Sequence, residues 1–233
     1  MPPQVKICGV TSVHDAITAI KCGASYVGLI FVPSSKRAVT LAVASEIVAA
    51  VRALKRGEVV AVFQNADFER MRDVVTAIQP DFVQCHGSES PQYCHNILSH
   101  LGCAVIKAIE VDPYRKDESE RLEEAIATYS QSCRMLLFDR PKSAPSDQPW
   151  LERTLDILPE ILGDTSGENI ETMYFFAGGL TAENVDRVLS RLTPFGVDVA
   201  SGVESAPGCK DKAKMEEFIK AVKRSNARQR GLS

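Results

Sequence analysis

Long apolar runs are missing from this 233-residue sequence. None approaches the ~20 residues of a membrane span. A Cys-x-x-Cys pair is missing as well. The seven cysteines (Cys8, Cys22, Cys85, Cys94, Cys103, Cys133 and Cys209) are odd in number and scattered. That pattern argues for reduced thiols in a cytoplasmic protein, not for a disulfide frame or a zinc site. Neither sign of charge is in large excess. The net charge is −3, so composition makes no case for a nucleic-acid partner. The N-terminus shows no leader pattern and enters a strand almost at once, so no signal or transit segment is expected.

What is present is a rhythm repeated eight times. A short apolar strand comes first, then a polar turn, then a helix with apolar residues at i, i+3, i+4 and i+7. The strands read as 5–7, 26–31, 59–63, 82–84, 104–109, 135–138, 173–177 and 197–200. The first helix shows Val13, Ile17 and Ile20, and the last shows Met215, Phe218, Ile219 and Val222. Ser12 with Asp15 caps the first helix and Gly23 stops it. Asp67 caps the third, and Ser90-Pro91 opens the fourth. The strands are nearly continuous apolar runs, as parallel strands covered on both faces must be. The expectation is an α/β fold: one (β/α)8 TIM barrel over residues 1–233, with a short basic tail from about residue 224, and the Lys/Arg-rich stretch from Lys220 to Arg230 reads as a solvated helix end. An open doubly wound sheet would want Gly-x-Gly-x-x-Gly after strand one. Cys8-Gly9-Val10-Thr11-Ser12 does not fit it. The polar stretch 164–171 reads as a surface loop.

A barrel of this kind carries its chemistry at the C-terminal ends of the strands. The residues there include Cys8, Arg37, His86, Asp139, Gly178-Gly179 and Ser201-Gly202. Cys8 and Asp139 can exchange protons with a substrate, one as thiolate base and one as general acid. Arg37 can clamp a carboxylate or phosphate in a fork. The paired glycine turns after the last two strands match a phosphate cup. Each residue also has a plain structural reading. Cys8 is then simply buried, Asp139 a loop cap, Arg37 the partner of a surface acid and His86 a scaffold residue. Lys6 and Lys107 are expected inside the barrel, paired with an acid such as Asp198. Cys22, Cys94 and Cys103 are expected to be buried.

Several segments in order resemble a known family. They are Lys6-Ile7-Cys8-Gly9, Gly28-Leu29-Ile30-Phe31 with Ser35-Lys36-Arg37, Val62-Phe63-Gln64-Asn65 and Gln84-Cys85-His86-Gly87. Leu137-Phe138-Asp139, Ala177-Gly178-Gly179-Leu180, and Gly196-Val197-Asp198 through Ser201-Gly202-Val203-Glu204-Ser205 to Lys210-Asp211 follow. This pattern is similar to that of the phosphoribosylanthranilate isomerases of tryptophan biosynthesis, over residues 5 to about 222. The resemblance implies an Amadori rearrangement of a small phosphorylated substrate, with no metal and no redox cofactor. Asp139 matches the family's general acid, Cys8 its general base and Arg37 its carboxylate-binding arginine. Gly178, Gly179, Ser201 and Gly202 match its phosphate site; beside the resemblance, Lys6, His86 and Asp198 are candidates for supporting residues of the site. A monomer or homodimer without nucleic-acid or membrane partners is expected. Two other readings stay open: another sugar-phosphate isomerase or epimerase, and a phosphate-ligand-binding relative without turnover. One segment departs from the family. Where its members carry Gly-Gly-Thr-Gly after the acid, residues 140–150 hold three prolines and no glycine, ending at Trp150.

Overall fold

The structure, a computed structural model, describes residues 2–144, 148–163 and 173–229. The stretch 164–171, read above as a surface loop, lies outside them. Eight parallel strands close in chain order into a barrel. They are β1 (Gln4–Cys8), β2 (Tyr26–Ile30), β3 (Glu58–Phe63), β4 (Phe82–Cys85), β5 (Ala104–Glu110), β6 (Met135–Asp139), β7 (Tyr174–Phe176) and β8 (Gly196–Val199). The helices between and after them are α1 (Val13–Cys22), α2 (Leu41–Ala53), α3 (Phe68–Ile78), α4 (Pro91–Leu101), α5 (Glu118–Tyr129), α6 (Gln148–Leu162), α7 (Val185–Arg191) and α8 (Lys212–Gln229). No helix among the described residues is long and apolar enough to cross a membrane.

Side chains alternate across the barrel wall with period two. Val60, Val62, Ile106, Ala108, Met135, Leu137 and Phe175 share an inner cluster with Cys8 and Tyr26. The N-terminal end is filled by aromatic rings meeting edge to face: Tyr26 lies 5.9 Å from Phe82 and 5.4 Å from Phe175. The opposite faces pack against the helices in a larger outer core. The barrel closes where β1 pairs with β8, and Lys6 stands opposite Asp198 there.

Local signals set most element ends. Ser12 Oγ accepts from the Asp15 amide at 3.1 Å, and Gly23 ends α1 at φ 114°. Ser90 Oγ accepts from the Tyr93 amide at 3.2 Å ahead of Pro91. Other expectations need correction. Asp67 precedes α3 but makes no side-chain capping bond. Lys107 does not face the barrel interior. It sits between the inward Ile106 and Ala108, so alternation sends it outward to Glu89 at 3.3 Å and over the Tyr129 ring. Cys22 is only half-buried, whereas Cys94 and Cys103 are buried. The basic residues from 224 form the end of α8, which runs through Gln229 as read from the sequence, and Arg228 meets Asp186 at 3.2 Å. A small hairpin, β9 (Glu204–Ala206) with β10 (Cys209–Lys210), follows β8 and was not expected.

Trp150 anchors the first turn of α6. It is 1% exposed, and its indole N–H donates to the Val111 carbonyl at 2.9 Å. Its ring lies against Phe176. Trp150→Ala should cost about 3–5 kcal/mol in urea unfolding followed by circular dichroism. Trp150→Phe should cost less, since it keeps most of the buried volume.

Candidate active site

A cavity of about 270 Å³ opens at the C-terminal end of the barrel. Cys8, Arg37, His86, Asp139, Gly178, Gly179, Asp198 and Ser201 line it. Of the expected site residues, Lys6 and Gly202 stand behind that lining.

The Cys8 side of the cavity is built on β1, β2 and β8. Gly28 makes room for the thiol: a Cβ there would stand 2.7 Å from Cys8 Sγ. Lys6 is fully buried, bonds Asp198 Oδ2 at 2.9 Å and sets its charge against the Cys8 thiol. Burial pushes the ammonium toward neutrality, but Asp198 and Cys8 outweigh that and hold it above an ordinary lysine. The two partners do not gain equally. Burial lifts the Asp198 carboxyl more than the Lys6 charge lowers it, and its Oδ1 is buried with no hydrogen-bond partner among the described residues. Cys8 is pushed up by burial too, and the Lys6 charge offsets only part of this.

The Asp139 side of the cavity is built on β4 and β6. Gln84 Nε2 donates to His86 Nδ1 at 2.6 Å, which leaves the ring proton on Nε2. That nitrogen faces Asp139 Oδ2 at 3.1 Å. The Arg140 amide donates to Asp139 Oδ1 at 2.8 Å. Both carboxylate oxygens are therefore held in place.

Arg37 is gripped by a buried acid, not a surface one. Its Nε and Nη2 donate to the two oxygens of Glu204, each at 2.7 Å, which leaves Nη1 for a ligand. Glu204 also accepts from Lys210 Nζ at 2.8 Å. Burial opposes its charge, but Arg37 and Lys210 hold the carboxyl below the ordinary range. Sequence reasoning gave Glu204 and Lys210 no role, although both stand in the motifs quoted above. The unexpected hairpin is what brings them to Arg37.

The turn after β7 has the conformation that glycine permits. Gly178 has φ 102° and Gly179 φ 67°. A Cβ on Gly178 would stand 2.8 Å from the Trp150 ring. The amides of both glycines donate to no group among the described residues. Gly202 backs directly onto the Leu180 carbonyl, so its lack of a side chain lets the two turns meet. Among the described residues, no group of three or more His, Cys, Asp or Glu is placed to hold a metal ion.

A family model described as N-(5'-phosphoribosyl)anthranilate isomerase matches residues 5–221. The chain belongs to this family. An isomerase of that name from Rhizobium meliloti is 35% identical over 97% of this chain and 100% of its own length. Phosphoribosylanthranilate isomerase from Thermotoga maritima superposes with a TM-score of 0.80 at 31% identity, over 95% of this chain and 99% of that one. A further isomerase structure, in complex with reduced 1-(o-carboxyphenylamino)-1-deoxyribulose 5-phosphate, has a TM-score of 0.73 at 31% identity over 95% and 99% of the two chains.

The raised thiol at Cys8 is directly testable. A thiol shifted upward releases its proton at higher pH, and the thiolate is the form that reacts. Iodoacetamide labelling of Cys8, read by mass spectrometry, should reach half its maximal rate at a higher pH than a cysteine peptide. Lys6→Met removes the favourable charge and should move that midpoint higher still. A midpoint at or below the peptide's would refute this account of the site.

Proposed function

We propose that this chain converts N-(5-phosphoribosyl)anthranilate into 1-(2-carboxyphenylamino)-1-deoxyribulose 5-phosphate, a step of tryptophan biosynthesis. The observation that carries the reading is one cavity holding a thiol from β1 and a carboxyl from β6, between Arg37 and the Gly178-Gly179 turn. Asp139 protonates the furanose ring oxygen, and the ring opens to a Schiff base. Cys8, as thiolate, removes the proton from sugar carbon 2 to give an enolamine. That species tautomerises to the ketose, so the product is an isomer of the substrate. No step calls on a cofactor.

Arg37 is suited to the anthranilate carboxylate, because its Nη1 is left over from the Glu204 pair. The bare amides of Gly178 and Gly179 suit the phosphate, with Ser201 and Gly202 on the adjoining turn. Lys6 supplies the charge that favours the Cys8 thiolate. Asp198 holds Lys6, and His86 orients Asp139. The same reading makes the chain a cytoplasmic enzyme, monomer or homodimer, acting on a small molecule and not on nucleic acid or a membrane. The seven free thiols support a reducing compartment.

The test is turnover of freshly prepared phosphoribosylanthranilate, followed as loss of its fluorescence. Wild type should consume it. Cys8→Ser and Asp139→Asn should each lower kcat by roughly 10²–10⁴-fold, the usual worth of a general acid or base. Folded wild-type protein that leaves the substrate untouched would end the isomerase reading.

A further inference from the structure

Most charged groups lining the cavity are already answered by another side chain. Glu204 holds Arg37, Lys6 holds Asp198 and His86 faces Asp139. Arg140 differs. Its amide is used on Asp139, but among the described residues its guanidinium makes no hydrogen bond and no ion pair. The side chain runs along the glycine turn. Its Cβ lies 2.9 Å from where a Cβ would stand on Gly178, and its guanidinium carbon lies 4.0 Å from the same point on Gly179. Lys142, two residues on, lines the same mouth with Nζ 3.3 Å from Gln64 Oε1. An unanswered guanidinium and two bare amides thus share one corner of the cavity, and the Lys142 ammonium stands at the rim beside Gln64.

We propose that Arg140 is a phosphate-binding residue. Its fork takes oxygens of a phosphomonoester that the Gly178 and Gly179 amides hold from the turn, and Lys142 adds charge at the rim. This rests on the reading of the substrate as a sugar phosphate. A phosphomonoester carries a charge of about −1.5 to −2 and three acceptor oxygens, enough to serve amides and a fork together. The cavity's other guanidinium, Arg37, is tied to the hairpin by Glu204, so the carboxylate and phosphate ends each have an arginine. Because the Arg140 amide also holds Asp139, phosphate capture and acid placement share one residue. A phosphate bound there steadies the peptide that orients the acid.

The experiment is titration of inorganic phosphate into wild type, Arg140→Ala, Arg140→Lys and Lys142→Ala by calorimetry, at fixed ionic strength made up with chloride. Arg140→Ala should weaken phosphate roughly ten- to a hundredfold, as expected for lost hydrogen bonds to a charged group. Arg140→Lys should recover only part, since an ammonium has no fork. Lys142→Ala should cost a few-fold at most, as a rim charge does in salt. With phosphoribosylanthranilate, Arg140→Ala should raise KM by a factor like that for phosphate and lower kcat less. Phosphate affinity unchanged in Arg140→Ala, or no phosphate binding by wild type, overturns the proposal. A loss of phosphate affinity in a protein that does not turn over phosphoribosylanthranilate keeps it and removes the isomerase reading. Unchanged affinity with intact turnover does the reverse.

Discussion

The buried ion pair between Lys6 and Asp198 is the constraint on which the rest of the molecule depends. It stands at the seam where β1 meets β8, with the two residues directly opposed in the ladder. Each charge loses several kcal/mol of solvation on burial, and a pair this deep repays that only with good geometry. A one-residue slip at the seam would turn one partner to the outer face and strand the other. The pair therefore resists slippage at the closure of the barrel. It also sets heights. Cys8 follows Lys6 by two residues and so shares its face, and the turn at Ser201 begins three residues beyond Asp198. Cys8 and the turn thus inherit their relative position from one contact.

Two further buried carboxylates do for the loops what Asp198 does for the strands. Glu89 accepts from the Asn65 amide at 2.7 Å and the Gly87 amide at 2.8 Å, and meets Lys107 from outside the barrel. That ties the loops after β3 and β4 to β5, and His86 lies in the bound segment. Glu204 ties the loop carrying Arg37 to the hairpin through Lys210, whose Nζ also bonds the Ala200 carbonyl at 3.0 Å. A carboxylate suits this task because two oxygens accept from several donors at once. Removing any one donor leaves part of a buried charge unanswered, so the loops gain rigidity together.

The barrel was legible in the sequence because its signal is periodic. Apolar strands and i, i+3, i+4 helix faces recur at even spacing, and chain order alone then gives the neighbours. The strand ends followed, and with them Cys8 and Asp139. The contacts that failed to show were of other kinds. Glu204 lies 167 residues from Arg37, and no local pattern links them. The hairpin escaped because strands of three and two residues carry too little alternation to read. Lys107 is the instructive error. Its neighbours Ile106 and Ala108 face inward, so the period-two rule already placed it outside; the appeal of a lysine in a barrel overrode the parity. The basic stretch from 224 reads as a solvated helix end because it is charged and nothing in it breaks a helix, and α8 runs through it to Gln229.

Groups in this cavity divide by whether the protein itself satisfies them. Glu204 and Asp139 have their oxygens engaged, which makes them supports or held reagents. Among the described residues, Asp198 Oδ1, the Gly178 and Gly179 amides, Arg37 Nη1 and the Arg140 guanidinium are left open. A buried acceptor without a partner costs about 1–3 kcal/mol, a cost the fold could avoid by a smaller residue. Such costs persist where a ligand removes them. The open groups border one cavity and combine two guanidinium groups and two amides with an acceptor near Cys8. A ligand with an anion at each end and hydroxyls between them would answer that set, whereas a ligand with one anion would leave an arginine idle.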